Sequence, residues 1–277
     1  MSMQLDTGTL YVVATPIGHL GDLTRRAEDV LKSASIVVAE DTRRTQVLLE
    51  HIGHRAPDLV SLHEHNEEAR SGELIQRLRD GSDIALVSDA GTPLVNDPGF
   101  PLLRMAHAAG LTTVPVPGCC AITTLLSVCP IPTQPFRFVG FLPVKQAARR
   151  KLLQGWLAQA DAVVFLESPK RIRRALQDVA QLTQRQIFVG RELTKRHESF
   201  YTGTASQVLE QLPETPRGEL IGVIEAGQVE ARNPEEERLM RVLLEELAPA
   251  QAARIAANLL ARKKSQMYDL ALQLSRQ

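Results

Sequence analysis

Cysteine is scarce in this chain. The three present, Cys119, Cys120 and Cys129, stand close together without C-x-x-C spacing, which excludes a disulfide framework and a cysteine-based zinc pattern and leaves reduced, buried thiols as the expectation. Long apolar runs are missing as well. No stretch approaches the roughly 20 residues of a membrane span, and the opening Met1-Ser-Met-Gln-Leu-Asp6 lacks the basic-then-apolar order of a secretory signal, so a cytoplasmic protein with no membrane partner is expected. Nor does charge of one sign dominate. Lys+Arg and Asp+Glu number 32 each, so overall charge argues neither for nor against a nucleic-acid partner.

What is present is a set of Gly- and Pro-rich loops that follow short apolar runs. The most informative is Ser88-Asp-Ala-Gly-Thr-Pro-Leu-Val-Asn-Asp-Pro-Gly99, which leaves the strand-like Ile84-Ala-Leu-Val87. Its prolines fix φ and its small residues let a ligand reach the main chain, so the loop is organised before anything binds. It carries neither the G-x-G-x-x-G pattern of dinucleotide folds nor a Gly-Lys-Ser/Thr ending, which makes phosphate cradling the weaker reading. Two further junctions repeat the design, Thr15-Pro-Ile-Gly-His-Leu-Gly-Asp22 after Leu10–Ala14 and Pro117-Gly-Cys-Cys-Ala121 after Thr112–Val116. Three loops at the carboxyl ends of parallel strands converge on one crevice, the place where open α/β sheets bind ligands.

The 277 residues, 44% hydrophobic, suffice for two cored domains and an appendage. Strand-like and helical runs alternate as far as Val116, predicting a parallel, helix-covered N-terminal sheet. A second α/β unit follows, with short strands near 187–202 that predict a mixed sheet. The expected architecture is therefore α/β, with domains 1–117 and 118–232, a ligand crevice between them, and a small helical appendage at 233–277. In that appendage two short helices joined by Ala261-Arg-Lys-Lys264 have helix-turn-helix character. Basic residues gather in three places: Lys145, Arg149, Arg150 and Lys151; Arg171, Arg173 and Arg174; and the tail from Pro249, where Arg254, Arg262, Lys263, Lys264 and Arg276 face the single acid Asp269. Such clusters suit phosphates or an ordinary solvated face.

The motifs Thr15-Pro-Ile-Gly18 with Asp22, Ala39-Glu-Asp-Thr-Arg43, His63-Glu-His-Asn66, Ser88-Asp-Ala-Gly-Thr-Pro93 with Asn96-Asp-Pro-Gly99, Pro117-Gly118, Glu167-Ser-Pro-Lys-Arg171, Arg191-Glu-Leu-Thr-Lys195 and Arg217-Gly-Glu219 together resemble one family over nearly the whole chain. It is the class III, tetrapyrrole-methylase-like S-adenosylmethionine methyltransferases, and within it the branch that modifies small-subunit ribosomal RNA. The resemblance implies transfer of a methyl group to the ribose 2′-hydroxyl of a cytidine in 16S rRNA near the decoding region, and a homodimer. It also implies that S-adenosylmethionine touches Pro16, Gly91, Thr92, Val95, Cys120, Ala121 and Leu166. Two positions depart from the pattern: His19 stands where the family usually has Asn, and Cys119 where it usually has Pro.

A neutral 2′-hydroxyl is a poor nucleophile, so a carboxylate or amine that takes its proton and a cation beside the developing alkoxide are required. Glu167, Glu192, Lys170 and Lys195 are the candidates, because each follows a predicted strand that ends at the crevice. Arg43, Asn66, Arg149, Arg150, Arg262, Lys263 and Lys264 are the candidates for contact with RNA. His63-x-His65 has the spacing of a metal pair, but no third ligand at suitable spacing accompanies it, and no metal is expected. Two other readings compete: a methylase of a tetrapyrrole macrocycle, since fold does not fix function, and a non-catalytic nucleic-acid-binding protein acting through its tail.

Overall fold

The computed structural model describes residues 7–56, 58–227 and 234–275. The opening hexapeptide, the expected seam at 232/233 and Arg276 lie outside them. The chain forms two compact units, Met1–Ala226 and Gly227–Gln277.

In the first unit, β1 (Leu10–Val13), β2 (Ile36–Ala39), β3 (Asp58–Ser61), β4 (Ile84–Val87) and β5 (Thr113–Val116) make a sheet in the order β3-β2-β4-β1-β5. Every pairing is parallel. Period-two alternation divides the side chains between two cores. Leu10, Ile36, Val38, Ile84 and Leu86 meet α3 (Glu67–Arg79) and α4 (Phe100–Ala108), while Val13, Val37, Ala85 and Val87 meet α1 (Arg25–Ser33) and α2 (Thr42–His51). Because both faces are covered, β2 and β4 are apolar throughout. Truncating any one of the fully buried leucines would cost about 2–5 kcal/mol. Thr24 opens α1 by accepting the Ala27 N–H, and Pro101 sits in the first turn of α4, so local chemistry agrees with the packing.

After α5 (Ala121–Ser127) come β6 (Phe136–Phe141), α6 (Gln146–Leu157), β7 (Ala162–Glu167), α7 (Ile172–Leu182), β8 (Gln186–Arg191), β9 (Ser199–Thr204), α8 (Ala205–Gln211) and β10 (Leu220–Ile224). The strand order is β6-β7-β10-β8-β9; only β6 and β7 run parallel, so the sheet is mixed. One face packs on α6, α7 and α8. The other presents Val164, Phe188, Ile221 and Val223 to Leu125 of α5 and to Ile17 from the loop after β1. That shared cluster draws the two halves together, and the expected seam at 117/118 falls in the loop between β5 and α5.

The second unit contains α9 (Pro234–Glu246), α10 (Pro249–Leu259) and α11 (Lys264–Leu274) around Met240, Ala252, Ala253, Ala256, Met267 and Ala271. Alanines on α10 let the helices approach closely. No helix among the described residues is long and apolar enough to cross a membrane.

One expectation needs correction. Arg149 and Arg150, expected among the contacts with RNA, lie near the start of α6, whose core-facing positions are Arg149 and Leu153. Arg149 is only 4% exposed; its guanidinium donates to Asp178 Oδ2 at 2.6 and 2.8 Å and to the carbonyls of Pro143 and Val144. Arg150 donates to Asp178 Oδ1 at 2.6 Å and to Gln181. Although burial pushes the Asp178 carboxyl upward, its bonds from Arg150, Gln146 and Arg149 hold it below the ordinary range, so the pair is charged and the arginines fix α6 to α7. Arg149 has no free face for a phosphate.

Candidate active site

The site begins with two neighbouring strands. Because β1 and β4 pair, the loops that follow them lie side by side. Thr15 N–H donates to the Gly91 carbonyl at 2.8 Å and Gly91 N–H to the Thr15 carbonyl at 3.1 Å. Ser88 Oγ also donates to the Gly91 carbonyl, and Thr92 Oγ1 donates to the Cys119 carbonyl at 3.0 Å, which ties in the loop after β5. Gly91 has φ +87°, and Leu94 and Asn96 are also left-handed at +69° and +75°. A loop with so many costly conformations persists only because its surroundings hold it, and such strain gathers where ligands bind.

These loops form one wall of a cavity of about 420 Å³. Gly91, Thr92, Val95, Cys120, Ala121 and Leu166 all line it, and Pro16 lines an adjoining recess of about 190 Å³. The opposite wall comes from the second half: Phe138, Phe141, Glu167, Ser168, Gly218 and Ile221. Four polar residues on the walls escape the sequence reading of this site: Glu40, Arg44, Asn96 and Asp97. Their signal is present, since Glu40 stands inside Ala39–Arg43 and Asp97 inside Asn96–Gly99, but only the pairing of β2 with β4 brings them together.

Glu40, Asp89 and Asp97 face one cation, Arg44, which approaches Asp89 Oδ2 at 3.4 Å. Burial, then the charges of Glu40 and Asp89, push the Asp97 carboxyl up to about 7, and burial with Asp89 raises Glu40 also. Asp97 thus keeps its proton in the folded chain between about pH 4 and pH 7, where the unfolded chain has lost it. Since the native state binds more protons there, stability falls as pH rises through that window. Asp97→Asn should therefore raise the melting temperature more at pH 8 than at pH 5, and an equal shift at both would refute the assignment.

The four candidates for chemistry separate clearly. Glu167, at the end of β7, is 2% exposed and lines the cavity. Its Oε1 accepts from Ser168 N–H at 2.7 Å and pairs with Arg171 at 2.5 Å, while Oε2 is buried with no hydrogen-bond partner among the described residues. Glu192 is committed elsewhere: its Oε1 accepts from Lys195 Nζ at 3.0 Å and from Glu219 N–H at 2.8 Å. Burial works upward on its carboxyl, but those bonds and the Lys195 charge leave it below the ordinary range. Burial likewise pulls Lys195 down, yet Glu192 and Glu219 hold its ammonium above the ordinary value, so it is a cation and not a neutral amine. Lys195 lines the recess beside Pro16, and Lys170 is exposed on the turn before α7. Thr194 Oγ1 accepts the His19 N–H at 3.1 Å, so the turn carrying Lys195 meets the loop after β1.

The RNA-contact candidates are dispersed. Arg43 lies outside both cavities on α2, exposed but bound through two nitrogens to Asp41, which it holds down at about 2. Asn66 is spent on its own turn, accepting from His63 N–H and donating to the Ser61 carbonyl. His63 Nδ1 accepts the His65 N–H at 3.3 Å, a further local bond in this turn. In the second unit Arg262 pairs with Glu236 at 2.7 Å, whereas Lys263 and Lys264 are exposed. Cys119, one of the two departures, places its thiol 3.4 Å from the Asp22 carbonyl, and His19, the other, caps a short turn by accepting Gly21 N–H.

Two α/β lobes enclosing a crevice of this kind define a class. The family model for "Tetrapyrrole (Corrin/Porphyrin) Methylases" matches residues 9–209, and the solved "methyltransferase CobJ" shares the fold with a TM-score of 0.61 at 17% identity, over 79% of this chain and 95% of that one. A second model, "RsmI C-terminal HTH domain", matches residues 230–275. The chain is 41% identical over 268 residues to Ribosomal RNA small subunit methyltransferase I of Xylella fastidiosa, covering 94% of this chain and 98% of that protein. To the protein of the same name from Neisseria meningitidis serogroup B it is 42% identical over 272 residues, with 96% and 93% covered. The chain belongs to the tetrapyrrole methylase family, in the branch of the ribosomal RNA small subunit methyltransferase I proteins, and is a methyltransferase.

Proposed function

We propose that this enzyme transfers a methyl group from S-adenosylmethionine to the ribose 2′-hydroxyl of a cytidine in 16S rRNA. The observation that carries the chemistry is Glu167, which lines the cavity and whose Oε2 is buried without a hydrogen-bond partner among the described residues.

The cavity suits the donor. Gly91 and Thr92, with small side chains, let the donor approach the main chain of this loop, Ile17, Leu166 and Ile221 give apolar walls, and no phosphate anchor is needed. Glu40, Asp89 and Asp97 supply negative charge toward a cationic ligand. When bound, the donor supplies an electrophilic methyl carbon and departs as a neutral thioether. Glu167 Oε2 accepts the 2′-hydroxyl proton as the new O–C bond forms and the C–S bond breaks. Arg171 and the Ser168 N–H hold the carboxylate in place through its other oxygen, and Lys195 gives positive charge on the recess side. Glu192 acts by orienting Lys195. Lys170, expected among the groups for the chemistry, is exposed on the turn before α7 and is assigned here to contact with the incoming RNA.

Labelled S-adenosylmethionine incubated with small ribosomal subunits lacking the modification should place label on a ribose oxygen. Label on a base, or on a porphyrinogen and not on RNA, would overturn the proposal. The setting is the cytoplasm and the working form a homodimer, for which sedimentation at micromolar concentration is the test.

The tail is the RNA anchor in this reading. Since Arg262 is already paired, Lys263 and Lys264 carry most of the phosphate contact. Replacing both with Ala should leave donor affinity unchanged and reduce the log–log salt slope of RNA binding by about 0.7–0.9 for each phosphate no longer neutralised. Equal slopes for variant and parent would remove the tail from the interface.

A further inference from the structure

Phe141 is a large aromatic left 50% exposed on the wall of the cavity. It is there because β6 is irregular. The register with β7 shifts between Phe138 and Phe141, and Gly140, at φ +66°, occupies the bulge. Val139 and Leu142, three apart, both enter the core against α6 and α7, whereas Phe138 and Phe141, also three apart, both line the cavity. Without the extra residue Phe141 would follow Val139 to the other face of the sheet. A Cβ on Gly140 would stand 2.6 Å from Asn96 Oδ1, the end of a side chain that can turn aside, so the left-handed φ of +66° is the stronger reason for glycine here.

Glu167, with its side chain 1% exposed, is reached only by a group that enters the cavity. A nucleotide stacked between neighbours in a helix must therefore unstack to bring its ribose there, and enzymes that do so offer a surface to receive the base. Phe138 sits deeper, packed into the cluster shared by the two halves, while Phe141 stands open to a ligand arriving from solvent.

We propose that Phe141 is the stacking platform for the base of the target nucleotide, aimed into the cavity by the bulge at Gly140. The inference rests on the RNA-methylating reading above and adds that the nucleotide enters unstacked.

The test compares Phe141→Ala, Phe141→Leu and Phe141→Trp with Phe136→Ala, a change of similar exposure on the same strand outside the cavity. With unmodified small subunits, the Ala and Leu variants should raise KM for the subunit roughly 5- to 100-fold, the range expected from losing one base–aromatic stack. Trp should restore it, and Phe136→Ala should match the parent. Calorimetric affinity for S-adenosylmethionine should be unchanged throughout. An unaltered KM in Phe141→Ala and Phe141→Leu would overturn the proposal, and so would weakened donor binding, which would give the ring to the donor's adenine. A parent enzyme that leaves small-subunit RNA unlabelled would overturn the RNA reading itself, a separate observation.

Discussion

Glu167→Gln should lower kcat by about a hundred- to ten-thousand-fold, the range that positioned general bases supply. The amide preserves size and keeps an oxygen for Arg171 and the Ser168 N–H, so the fold and the ion-paired side of the residue are disturbed little. What changes is the second position, where an acceptor buried without a partner becomes an N–H donor that cannot take a proton. The loss should therefore appear in turnover, with donor affinity and KM for the small subunit close to those of the parent. Glu192→Gln is the informative contrast. Its carboxylate is held low and already committed to Lys195 and the Glu219 N–H, so its replacement should act through the lysine and cost less. Rapid quench of a single turnover separates the two. An unchanged chemical step in Glu167→Gln, or a larger loss in Glu192→Gln, would move the base to the other carboxylate.

The distinction between those carboxylates was not legible in the sequence. Both stand where a strand ends, both have a lysine three residues on in the chain, and the difference lies in partners that come from elsewhere, Glu219 above all. The loops were legible, because their information is local: glycine and proline after a short apolar run dictate a turn wherever the strand goes. The alternation of strands and helices was legible for the same reason, and element ends differ from expectation by one or two residues. Helix α6 was not. Gln146-Ala-Ala-Arg-Arg-Lys has the texture of a solvated face, and the ion pair that takes Arg149 into the core depends on Asp178, on another helix. The bulge at Gly140 was hidden for a geometric reason, since one inserted residue leaves no mark on composition while it turns Phe141 from one face of a sheet to the other.

Gly91→Val should abolish measurable donor binding while leaving the enzyme folded. The position is left-handed at φ +87°, a conformation that a β-branched residue adopts only with strain, so the substitution distorts the loop or tilts it. Space is limited too. A Cβ there would lie 3.2 Å from Ile17 Cγ2 and 3.6 Å from the Cys119 carbonyl, and a valine's two methyls would have to go either against those neighbours or into the cavity. The Thr15–Gly91 pair of main-chain bonds would be strained at the same time, and with it the alignment of the loops after β1 and β4. The core clusters on either side of the sheet contain neither residue, which is why the melting transition should remain cooperative and fall by no more than the few degrees that about 1–2 kcal/mol implies in a chain of this size. Calorimetric titration with S-adenosylmethionine reads the first effect and thermal melting the second. Parental affinity in a folded Gly91→Val variant would show that the donor does not use this loop, and would require a site other than the cavity between the two sheets.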